Sequence, residues 1–193
     1  MITLVVFHNV NDHDQWKVAF DAHEDVRRAH GAVEHRVYRH ATERNRVVVH
    51  LYFQDADAAR GFMADPSLPV AMEGAGVIGE PWLALFEQTE TLSYTPGDAG
   101  VTLTVHHTVR DFATWKPVFD EHESVRRSHG ALGHRIVRRL DDLNIVVVAI
   151  DFPSIEAAEA FGADPSLPAA MERGGVEGAP TTSMSSQGER KAY

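Results

Sequence analysis

From Val101 to Val109 the chain alternates. Val101, Leu103, Val105, His107 and Val109 fall on one face, and Thr102, Thr104, His106 and Thr108 on the other. That period of two predicts a half-buried strand with His107 on its apolar side. The next stretch, DFATWKPVFDEHESVRRSHG, changes to helical spacing. Asp111 is placed to cap this helix and Gly130 to end it, and Pro117 predicts a start at or just before residue 117. HRIVRR and NIVVVAIDF predict two further strands joined by a DDLN turn. SIEAAEAFGADPSLPAAMERGG is a second helical segment, interrupted near Asp164–Pro165. The first half repeats this pattern and ends in a strand, PWLALFEQTE. The predicted order is βαββαβ, twice.

The two halves match residue for residue at an offset of 99. Trp16 and Trp115, His23 and His122, Asn45 and Asn144, Asp65 and Asp164, and Tyr94 and Tyr193 all obey it without insertion or deletion. A period this long describes a small domain and not a solenoid repeat. The expected organisation is residues 1–94, a TPGDA linker over 95–99, and residues 100–193. Helices cover one face of each sheet and leave the other in need of a partner. The expected fold class is therefore α+β: two tandem ferredoxin-like units packed sheet to sheet as an intramolecular dimeric α/β barrel.

Composition narrows the function. With 193 residues and 44% hydrophobic content, the chain can bury a core in two small units. The absence of cysteine excludes disulfides, thiolate metal sites and a cysteine nucleophile. A net charge of −10 argues against nucleic acid as a partner. The start, MITLVVFHNV, reads as a strand, and no apolar run reaches bilayer length, so a cytoplasmic protein without a membrane partner is expected.

Candidate chemistry concentrates in FDAHEDVRRAHGAVEHR and its copy FDEHESVRRSHGALGHR. At 100° per residue, Trp16, Phe20, His23, Arg27 and His30 form one stripe, repeated by Trp115, Phe119, His122, Arg126 and His129. An arginine on a stripe that faces a sheet predicts a polar cavity between helix and sheet, because a buried charge needs compensation. His8 and His107 are placed to join that cavity from the first strand of each copy, and His35 and His134 from the second strand. The expected lining is thus His8, His23, Arg27, His30, His35 and Trp16 in one copy, and His107, His122, Arg126, His129, His134 and Trp115 in the other. Trp16 and Trp115 also suit core anchors, His30 and His129 suit the end of a helix dipole, and Arg36 and Arg135 suit the surface. Ser67 and Ser166, beside prolines, read as turn residues. No dinucleotide fingerprint, nucleophile elbow or H-E-x-x-H motif is present.

The string WK-x-x-F-D-x-H-x-x-x-R-R-x-x-G, the hairpin with N-x-V-V-V, and DPSLP-x-A-M-E-x-x-G-V-x-G-x-P resemble the dimeric α/β-barrel superfamily. The nearest likeness is to small actinobacterial proteins described as cyclases or as antibiotic-biosynthesis monooxygenase-like. The resemblance covers both copies and implies a small-molecule tailoring enzyme acting on an aromatic or polyketide-like substrate without a cofactor. His23 and His122 would be general bases, and Arg27 and Arg126 would stabilise the resulting anion. Two alternatives stand beside it. One is a transition-metal protein holding Zn, Ni, Cu or Fe through His8, His23 and His35, and through His107, His122 and His134; His23 and His30 lie about 10 Å apart by helical rise and cannot share an ion. The other is a non-catalytic ligand-binding or stress protein. A pseudo-dimer within one chain, with a further homodimer open to it, completes the expectation on partners.

The copies differ at their ends. Trp82, Leu83, Leu85 and Phe86 are replaced by Thr181, Thr182, Met184 and Ser185. A strand stripped of apolar side chains buries less surface, so the second copy is expected either to hold a more open pocket or to fray at its tail.

Overall fold

A computed structural model describes residues 1–95 and 97–193. Pro96, within the expected linker, lies outside the described residues. The chain divides into two compact units, Met1–Glu87 with Gln187–Tyr193, and Gln88–Ser186. The repeat boundary near residue 95 is therefore not the boundary of the units. The last strand of each copy is 17 residues long and outruns its own unit, so its final residues belong to the other.

In the first unit, β1 (Ile2–Val10) is followed by α1 (His13–Ala22), α2 (Glu24–Ala29), β2 (Ala32–His40), β3 (Arg46–Phe53), α3 (Ala56–Met63), α4 (Ser67–Gly74) and β4 (Val77–Ser93). β1 runs antiparallel to both β3 and β4, and β3 to β2. Residue 193 adds to the β2 edge, its N–H donating to the Val33 carbonyl at 2.9 Å. The core-facing positions alternate as the period of two requires: Leu4 and Val6 on β1, Val47, Val49, Leu51 and Phe53 on β3. Trp16, Ala59 and Phe62 meet them from the helices.

The second unit repeats this with β5 (Val101–Val109), α5 (Phe112–Glu121), α6 (Glu123–Ser128), β6 (Gly133–Arg139), β7 (Ile145–Phe152), α7 (Ile155–Gly162), α8 (Leu167–Arg173) and β8 (Val176–Ala192). Its core gathers Leu103, Val105, Trp115, Ile136, Val148, Ile150, Phe152 and Phe161. Gly31 and Gly130 end the helices with φ of 81° and 84°, the left-handed conformation that glycine adopts without penalty.

One expectation is corrected. The helix of the second copy starts at Phe112, capped by Asp111 onto the Thr114 N–H, so Pro117 lies inside it. β8 extends from Val176 to Ala192 despite its polar composition. No helix among the described residues is long and apolar enough to cross a membrane.

Candidate active site

Each copy's first helix is interrupted at a histidine. His23 ends α1 and opens α2, and its N–H is shared between the carbonyls of Ala19 and Phe20 at 3.2 and 3.3 Å. His122 does the same between α5 and α6. Both copies break there although only the second carries a proline, Pro117 standing where the first has Val18, so proline does not cause the break.

The two imidazoles are held by side chains from the turns that open α4 and α8. His23 Nε2 lies 3.0 Å from Ser67 Oγ, and Ser67 donates its hydroxyl proton to Asp65 at 2.6 Å. A hydroxyl has one proton to give. His23 therefore donates from Nε2 and keeps its lone pair on Nδ1, a tautomer fixed by the network. Asp65 also accepts from the Ser67 N–H and from His30 Nε2. These bonds, Ser67's first, hold its carboxyl down to about 2. The second unit repeats the chain, His122 to Ser166 at 2.8 Å, Ser166 to Asp164, and Asp164 to His129 at 2.8 Å. Ser67 and Ser166 do form the expected turns, but each also carries a histidine that the sequence reading left out. A serine nucleophile is not the outcome: the carboxylate binds the serine proton, whereas nucleophilic activation needs it behind the histidine. Burial lowers the pKa of His23 and His122, with Arg27 and Arg126 adding to the effect.

Arg27 and Arg126 are each 1% exposed. Arg27 lies over the Phe20 ring at 3.9 Å, donates from Nη1 to the Phe20 carbonyl, and donates from Nε to the Tyr193 hydroxyl at 2.7 Å. The hydroxyl is 2.7 Å from His35 Nδ1, and His35 Nε2 is 3.0 Å from Glu189, which Lys17 also meets at 2.7 Å. One consistent direction runs through this chain: arginine to tyrosine, tyrosine to histidine, histidine to glutamate. In the second unit Arg126, Tyr94, His134, Glu90 and Lys116 repeat it. Among the described residues no carboxylate lies within ion-pair distance of either arginine, and Nη2 of each, buried, has no hydrogen-bond partner.

His8 and His107 complete the arrangement. Each packs against its tryptophan, Trp16 or Trp115, with ring centroids 5.5 and 5.4 Å apart. They are 5% and 7% exposed, and neither nitrogen of either ring has a partner among the described residues. Burial lowers both to about 4, so both rings are neutral near pH 7.

These groups line a cavity in each unit. In the first, His8, Trp16, Phe20, His23 and Arg27 surround about 60 Å³. In the second, His107, Trp115, Phe119, His122 and Arg126 surround about 660 Å³. An apolar cavity that holds benzene measures about 150 Å³, and ligand pockets run from about 300 to 1,000 Å³. The first cavity is thus below ring size and the second falls within the range of ligand pockets.

The second cavity is the larger, and Thr182 lines it where Leu83 packs against the first core. A further cause went unread. Met63 packs against the first core, and its counterpart Gly162 is on the wall of the second cavity, where an added Cβ would meet nothing within 4 Å.

The expected lining is corrected at four positions. His30 and His129 turn to Asp65 and Asp164, and His35 and His134 lie beneath the arginines with both nitrogens engaged. Among the described residues no group of three or more ligating side chains has metal-binding geometry. Arg36 and Arg135 are not free surface groups; they are half-buried and paired, with Glu34 and Asp151 respectively at 2.7 Å.

No known family's sequence profile matches the chain, and no curated protein matches it either. Solved structures do. An anthrone oxidase-like protein aligns with a TM-score of 0.70 at 16% identity, over 99% of this chain and 92% of its own. A ferredoxin-fold protein of Listeria monocytogenes related to antibiotic biosynthesis monooxygenases aligns at 0.52 and 8%, over 98% and 95%. A heme-degrading enzyme of the same organism aligns at 0.52 and 6%, over 96% and 98%. Neighbours of such different activity share architecture and little sequence: the chain has the ferredoxin-like fold on which the antibiotic-biosynthesis monooxygenase-like proteins are built.

Proposed function

We propose that the second unit is a cofactor-free oxygenase site for a multi-ring, enolisable aromatic ketone of the anthrone type. One observation carries the reading: a largely apolar cavity of about 660 Å³ holds a buried guanidinium Nη2 and a neutral imidazole, neither with a protein partner. Groups of that kind suit an oxygen atom on which negative charge develops.

His122 takes the proton from the ring carbon through Nδ1. It is the stronger of the two bases, because His107 is the more deeply buried and is lowered to about 4. Arg126 Nη2 holds the enolate oxygen. His107, neutral, donates one N–H to the same oxygen without adding a second positive charge. The carbanion then reacts with dioxygen; the net change is CH2 plus O2 to C=O plus H2O, so no external reductant is consumed. Ring closure of a polyketide chain would use the same enolate with a carbonyl carbon in place of dioxygen. The description of a structural neighbour as anthrone oxidase-like supports the substrate class.

The test is oxygen uptake and quinone absorbance with anthrone as probe, for the native chain and for His122→Ala and Arg126→Met. The expected loss for His122→Ala is about 100- to 10,000-fold, the range of a positioned general base. Native protein that neither binds anthrone nor speeds its oxidation would end the proposal.

A further inference from the structure

The first unit keeps the charge of the second without its room. Arg27 is 1% exposed and its Nη2 is unpartnered, and both ring nitrogens of His8 are unpartnered on the same cavity. Every carboxylate nearby is committed elsewhere: Glu24 to Lys191, Asp65 to Ser67 and His30, Glu189 to Lys17 and His35. A buried cation without a counter-charge is costly to keep. Met63, Leu83 and Leu85 pack against the first core where the second unit has Gly162, Thr182 and Met184.

We infer that the first unit's cavity binds a small monovalent anion of halide, formate or nitrate size, paired with Arg27 Nη2 and hydrogen-bonded by the neutral His8. Three features select this class. About 60 Å³ excludes an aromatic ring. One free guanidinium arm with one neutral donor matches a single charge, and a phosphate or sulfate would bring a second charge with nothing to meet it. The wall of Trp16, Phe20, Leu51 and Phe62 is apolar, a low-dielectric surround that strengthens the ion pair and favours weakly hydrated ions. This site is independent of the reaction proposed for the second unit.

Two measurements test it. Crystals soaked in sodium bromide should show an anomalous peak beside Arg27 Nη2 and His8. Density there without anomalous signal, or a peak confined to the second unit, overturns the inference. In solution the melting temperature should climb with sodium formate, relative to sodium gluconate at equal ionic strength, because a ligand of the folded state stabilises it by mass action. The climb should persist in Gly162→Met, which alters only the second cavity, and vanish in Arg27→Met. If Arg27→Met does not fold, His8→Phe, which fills the first cavity with an apolar ring, must abolish it instead. A formate response that survives His8→Phe places the anion elsewhere and refutes the site.

Discussion

His107 makes acid stability a direct readout of the second cavity. Burial lowers its pKa from 6.5 to about 4. Below pH 6.5 the unfolded chain takes up a proton that the folded chain refuses until the pH nears 4. The folded state is therefore favoured above 6.5 and loses stability as the pH falls between those values. Each pH unit is worth about 1.36 kcal/mol, so the 2.5 units between 6.5 and 4 come to about 3 kcal/mol for this one side chain. His107→Phe keeps the ring and removes the proton site. Urea denaturation followed by tryptophan fluorescence, from pH 7 to pH 4, should show the variant losing about 3 kcal/mol less than the native chain. The other titrating groups are common to both proteins and cancel in the difference. At pH 7 the variant should also be no less stable, because two unpartnered ring nitrogens are replaced by apolar edges. Parallel pH curves would refute the reasoning: they would mean that His107 ionises as a solvated imidazole and that the cavity is wet.

Three further outcomes follow from the same geometry. Gly162→Met should weaken anthrone binding by calorimetry while leaving stability unchanged or raised by about 0.5–1 kcal/mol, since a Cβ there meets nothing and glycine is a poor helix residue. Tyr94→Phe removes the hydroxyl that receives the Arg126 Nε proton and should destabilise the chain by about 1–3 kcal/mol and weaken anthrone binding; Tyr193→Phe should cost similar stability and leave that binding intact. Ser166→Ala leaves His122 Nε2 without its acceptor and frees the tautomer, so the pH profile of oxygen uptake should shift while the anthrone dissociation constant holds.

The period-two strands, the Asp111 cap and the terminating glycines all rest on neighbours in sequence, and for that reason the fold was legible. So was the stripe that puts Trp16, Phe20, His23 and Arg27 on one wall. What escaped was tertiary. Ser67 meets His23 across 44 residues, and no local pattern distinguishes a turn serine that also holds a histidine. His35 opens the second strand, where a shift of one residue decides its face, and its partners Tyr193 and Glu189 lie 158 and 154 residues away in sequence. One signal was available. The chain has three lysines among 18 basic residues, and two of them, Lys17 and Lys116, obey the offset, as do Glu90 with Glu189 and Tyr94 with Tyr193. Lysine kept twice in an arginine-rich chain marks a specific partner. Met63 against Gly162 is equally visible at the offset of 99.

The exchanged strand ends impose an order on biosynthesis. Tyr94, which braces Arg126, leaves the ribosome before the helix it serves, so the second unit finds its tyrosine waiting. Arg27 must wait for Tyr193, more than 100 residues after the rest of the first unit has been made. At about 5–20 residues per second that is a delay of roughly 5–20 s. For that time the unit encoded first carries a buried arginine without its brace and a β2 edge without its last strand. It is the stage at which a stalled or truncated chain is most exposed to proteases, and a shortened C-terminus would injure the N-terminal unit and spare the one beside it in the gene.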